Sequence, residues 1–164
     1  MEFELSPLMA LLAESALAAE RLAQTERRRT ADDRQPSRHA VLVIELRLKL
    51  EEQVLLPAFR ALHLPSVVSV GSQIEMLREL MAEAVNGELA LANNRQLWAS
   101  IERMCVLHFD AVAGLAILAL RSGRFDEAKT LEEARDYRTR WREEIAQTGD
   151  IEDEEADPVG QLPR

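Results

Sequence analysis

The stretch LRLKLEEQVLLPAFRAL, Leu46 to Leu62, sets two adjacent glutamates, Glu51 and Glu52, inside an otherwise apolar helical run. Val41, Ile44, Leu48, Leu55, Phe59 and Leu62 share one stripe of this segment, while Leu42, Leu46 and Leu50 cover much of the rest. A helix apolar on most sides lies among other helices, so the segment is read as the centre of an all-α protein. An isolated charge in such a place costs more than packing can offset unless it is protonated, paired or bound. Neighbouring helical residues stand about 100° apart, so Glu51 and Glu52 cannot both face one narrow core, and one of them is expected to turn outward. Pro57 removes a backbone hydrogen bond and is expected to bend the helix or end it.

The rest of the chain supplies partners for this helix. Ser6-Pro7 offers an N-cap and a proline at the first helical position, and the pattern Leu8, Leu11, Leu12, Ala16, Ala19, Leu22 then runs to about Arg28. Arg27 to Ser37 is charged, lacks an apolar period and reads as a connection to a second helix starting near Arg38. His63 to Gly71 reads as a second connection. Ser72 with Glu75 has capping-box spacing for a third helix that stops at Asn86-Gly87. A fourth helix is expected from Asn93 or Asn94 to Arg121, with Leu97, Ile101, Met104, His108, Leu115 and Leu118 inward. A fifth, from about Asp126 to Gln147, is mostly charged and offers the core Leu131, Ala134, Trp141 and Ile145, with Tyr137 alongside.

The 164 residues, 47% of them hydrophobic, suit one domain. Residues 1–147 are assigned to a helical bundle, and 148–164 to an acidic tail expected to be disordered. The net charge of −9 opposes nucleic-acid binding, which needs surplus Lys and Arg. The acidic start Met1-Glu2-Phe3-Glu4 lacks the basic region of a secretory signal, and no apolar run reads as a bilayer span, so a cytoplasmic protein without membrane association is expected. Cys105 has no second cysteine to pair with and is read as a small buried hydrophobe.

The segment LKLEEQVLLPAF resembles the second helix of hemerythrin-like domains, the HHE cation-binding family, in Glu51-Glu52, Val54 to Leu56 and Pro57-Ala58-Phe59. About fifty residues on, MCVLHFDAVAGL places His108 where that family carries the histidine of its last core helix, and Gln73 or Glu75 falls where it has the histidine of its third. The resemblance covers roughly Leu5 to Leu120 and implies an up-and-down four-helix bundle, here with an extra peripheral C-terminal helix. It also implies a di-iron centre built from histidines and carboxylates, used in the family for oxygen, iron or nitric oxide chemistry. Three departures stand against that centre. Arg47 occupies the position of the family's helix-2 histidine and has no lone pair to donate. Val112 stands four residues after His108, where a carboxylate belongs, and the first helix has no histidine.

Arg47 and Glu51 have the spacing of an intrahelical ion pair, which could stand in for the metal. The expected function is therefore a non-enzymatic binding or regulatory scaffold with a degenerate site, in which Arg47, Gln73 and Val112 replace ligands. Its partner is expected to be another protein, a second copy or a small ligand in the former metal pocket, with no cofactor. The alternative is an oxygen- or nitric oxide-responsive domain holding iron or manganese on Glu51, Glu52, Glu75 and His108, with Glu14 in reserve. Arg47 discriminates them: a guanidinium in the bundle centre excludes metal, whereas one that reaches solvent along its stem leaves space. His39 and His63 sit near helix ends and read as surface residues. No GxSxG, phosphate-binding glycine loop or Cys/His nucleophile pattern is present.

Overall fold

A computed structural model describes residues 6–29, 38–86 and 91–148. The proposed acidic tail beyond residue 148, the acidic residues before Leu5 and most of the connection after Arg28 lie outside the described residues. All regular structure among those described is helical: α1 (Pro7–Arg28), α2 (Arg38–Leu50), α3 (Leu56–Ala61), α4 (Val67–Asn86), α5 (Leu91–Arg121) and α6 (Glu127–Thr148). A π-helical turn, Glu51–Leu55, joins α2 to α3 without a break, so residues 38–61 form one rod.

Local chemistry explains the ends. The Ser6 side chain accepts from the Met9 amide at 3.2 Å, with Pro7 inside the first turn. Asp126 accepts from the Lys129 amide at 3.0 Å and opens α6, and Gly123, at φ +65°, makes the left-handed turn after α5. The Glu127 carboxylate in turn accepts from the Leu8 amide at 3.0 Å. That contact ties the start of α6 to the positive end of the α1 dipole.

Three expectations from the sequence are revised. Of the two outcomes expected at Pro57, a stop does not occur, because the helix continues to Ala61. The wider turn before it carries the backbone bonding, with the Leu56 amide donating to the Glu51 carbonyl five residues back. The extra residue eases the clash a proline ring makes with the carbonyl four positions earlier. Ser72 does not cap a helix: α4 begins at Val67, and the Ser72 hydroxyl donates to the Val68 carbonyl at 3.3 Å in mid-helix. Val67, Val70, Ile74, Leu77 and Met81 fall on one buried face. Their burial outweighs the poor helix propensity of the valines and Gly71. In α5, Leu118 faces solvent at 44% exposure rather than the core.

One continuous core joins α1, the 38–61 rod, α4 and α5, around fully buried Leu8, Ile44, Leu56, Phe59, Leu77 and Ile101. Cys105 belongs to it, and burial pushes its thiol up to about 12, consistent with a packing role. None of the described side chains of α6 belongs to this core. Leu131 and Ala134 of that helix build a smaller one with Leu11, Leu50 and Val54, flanked by Tyr137.

Candidate functional site

Inside the main core lies a line of polar side chains. Glu51 is completely buried, Arg47 is 3% exposed and His108 is completely buried. The Arg47 Nε donates to Glu51 Oε1 at 2.5 Å across one helical turn, and Glu51 Oε2 accepts from His108 Nε2 at 2.5 Å. Both carboxylate oxygens are thereby engaged. The Arg47 Nη1 donates to the Leu12 carbonyl at 3.0 Å and to the Ser15 hydroxyl, while its guanidinium carbon lies 5.0 Å from the centre of the Phe109 ring. At the far end, His108 Nδ1 stands 3.0 Å from Gln73 Oε1. The line Ser15–Arg47–Glu51–His108–Gln73 thus links α1, α2, the π turn, α5 and α4.

Each member is set by its helix. Arg47 and Glu51, four apart, share a face, and the surrounding apolar contacts keep water from competing with the pair. Charge-assisted hydrogen bonds of this kind are about twice as strong as neutral ones. Such a cluster offsets the desolvation of its charges only while every member stays partnered.

Glu52 takes the opposite direction. It pairs with Arg78 of α4, whose guanidinium also holds Glu45 and Glu75. The Arg78 hydrogen bond holds the Glu52 carboxyl below its ordinary value, against the opposing effect of partial burial. Glu75 is exposed on the outer face of this group. Of the residues singled out in the sequence, Arg47, Glu51, His108 and Gln73 come together, with Val112 buried in the same core. Glu52 and Glu75 lie in the surface cluster, and Glu14 is half-buried on α1. His63 is exposed and His39 half-buried.

Ser15 and Phe109, which help seat the guanidinium, escaped the sequence reading, and Leu12 was read only as part of the apolar stripe of α1. A signal for Ser15 was present, since Leu8, Leu12, Ser15 and Ala19 fall at helical spacing on one stripe.

The Arg78 cluster carries a prediction. Because the folded-state value of Glu52 is depressed, its contribution to stability is present above pH 4.5 and is lost as pH falls through the folded value. Arg78→Ala should cost about 0.5–1 kcal/mol at neutral pH and low salt, a size limited by solvent screening. The difference should shrink towards zero in strong acid and in high salt. Urea unfolding of both proteins across pH checks this.

A di-iron group does not fit the residues present. Arg47 fills the centre with a cation, the lone pairs of Glu51 are turned to Arg47 and His108, and among the described residues no three of His, Cys, Asp and Glu converge to hold a metal ion. Two shallow grooves lie elsewhere, beside α6. One, of about 320 Å³, is lined by Gln53, Val54, Glu133, Asp136, Tyr137 and Arg140. The other, of about 190 Å³, holds Lys49 4.0 Å over the Trp141 ring. No protein-family model, curated protein or solved structure matches this chain.

Proposed function

We propose that the chain is a hemerythrin-like four-helix bundle, with α6 as an added peripheral helix, in which an ion-pair cluster has taken over the place of the metal. In this reading it is a non-enzymatic binding or regulatory scaffold. The observation that carries it is the Arg47 guanidinium, 3% exposed and seated between Glu51, Ser15 and the Leu12 carbonyl. A cation there performs the electrostatic task that iron performs for bridging carboxylates, compensating Glu51 without supplying an open coordination position. The polar groups of the cluster are spent on one another, so a substrate entering the core finds no free nucleophile, acid or base. Function then falls to the outer surfaces of the helices.

Metal analysis by inductively coupled plasma mass spectrometry tests the reading. The protein is purified without chelators or nickel from cells grown with added iron. The expected result is a folded protein with far less than one iron, manganese or zinc per chain. Two metal ions per chain, lost on Glu51→Ala or His108→Ala, would overturn it in favour of a carboxylate-rich metal domain.

A further inference from the structure

Helix α5 has two unlike faces. Trp98, Ile101, Cys105, His108, Val112 and Ala119 are buried. On the opposite side, Arg103, Asp110, Gly114, Ile117 and Arg121 fall at helical spacing on one line, with Leu107 and Leu118 along one flank and Val106 along the other. This outer strip is strongly apolar for a surface: Leu107 is 62% exposed, Leu118 44%, Val106 39% and Ile117 38%. A side chain built on Gly114 meets nothing within 4 Å, so a second backbone can approach closely there.

The charges on the strip are ordered. Asp110 and Arg121 are exposed, and neither makes an ion pair or hydrogen bond with a described residue. They are eleven residues apart, three helical turns, and so stand on one line about 16 Å apart along the axis. Between them the line carries only Gly114 and Ile117, with Ala113 and Leu118 beside it. We infer that this strip is a two-fold interface through which the chain pairs with a second copy, α5 lying antiparallel to α5. A two-fold axis between Leu115 and Ala116 sets Asp110 opposite Arg121 twice and Gly114 opposite Ile117 twice. A self-complementary patch of this kind closes as a dimer, whereas parallel pairing would set like charges against each other.

A lipid bilayer is the competing occupant. Among the described residues, Asn93–Arg121 is long and apolar enough to cross a membrane, with a mean hydropathy of 1.7 over an 18-residue stretch of it. The order of charges favours the second copy. Arg103 and Asp110 lie within the outward strip, where hydrocarbon would leave them unpaired, while two-fold pairing gives Asp110 a partner. The inference rests on the scaffold reading, which the metal measurement tests independently.

The test is size-exclusion chromatography with light scattering on the full chain over a concentration series. Wild type should approach twice the 18.5 kDa chain mass. Gly114→Leu, Asp110→Arg and Arg121→Asp should each raise the dimer dissociation constant at least about tenfold with unchanged helical circular dichroism. The decisive step is mixing. Asp110→Arg and Arg121→Asp proteins, each monomeric alone, should form a heterodimer, because each strip then meets its opposite charge. A wild type that stays monomeric at every concentration, a dimer indifferent to all three substitutions, or a mixture that remains monomeric overturns the pairing. Wild type that co-sediments with neutral phosphatidylcholine vesicles and stays monomeric assigns the strip to lipid instead.

Discussion

The Glu51→Leu protein should be less stable than wild type by about 3–5 kcal/mol, the cost of stripping one partner from a buried ion pair. Leucine is close to glutamate in volume, so the loss is electrostatic rather than a cavity. Arg47 keeps the Leu12 carbonyl and the Ser15 hydroxyl but loses its counter-charge, and His108 Nε2 loses its acceptor. Arg47→Met should be similarly damaging, since it strands the Glu51 carboxylate in the same core. The double variant Arg47→Met/Glu51→Leu should regain most of the loss, because both charges leave together. Urea unfolding of the four proteins, followed by circular dichroism, gives the coupling energy. If Glu51→Leu unfolds like wild type, the buried cluster is not what holds these helices in register.

Phe59→Ala should cost about 3–5 kcal/mol, the usual range for emptying a buried aromatic site. Phe59 is completely buried and is among the largest side chains so enclosed. Its ring packs against Phe125 with centroids 6.1 Å apart and planes tilted by 43°. Phe125 sits in the short connection between α5 and α6, so the cavity reaches beyond the rod. Amide hydrogen exchange at residues 122–126 should accelerate more than at α4. Phe59→Leu should recover over half of the stability, and exchange confined to α3 would show that the two rings do not act together.

The sequence was informative where burial and spacing agree. The N-cap at Ser6, the end of α1 at Arg28 and the stop after Arg121 are local events, decided by residues within a few positions. The opposed directions of Glu51 and Glu52 follow from helix geometry alone, although which one turns inward depends on α4. There Arg78 waits for Glu52. The start of α4 was misread because valine and glycine discourage helix in isolation, while their contacts with the core lie far away in sequence. Ser15 was missed for the related reason that its partner, Arg47, is thirty-two residues distant. The α1 stripe turns Ser15 inward, but its partner is set by another helix.

The π turn at Glu51–Leu55 also changes how the spacing along the chain should be counted. Twelve residues separate Arg47 from Phe59, and in an unbroken α-helix twelve steps would leave the two about 120° apart. Both are buried. The turn absorbs one surplus residue, which makes the effective count eleven and returns Phe59 to within about 20° of the Arg47 face. The segment therefore behaves as a silent insertion. A homologue with one residue fewer between positions 51 and 55 can present the same inward side chains, and a gap placed there in an alignment marks a change of winding rather than a change of face.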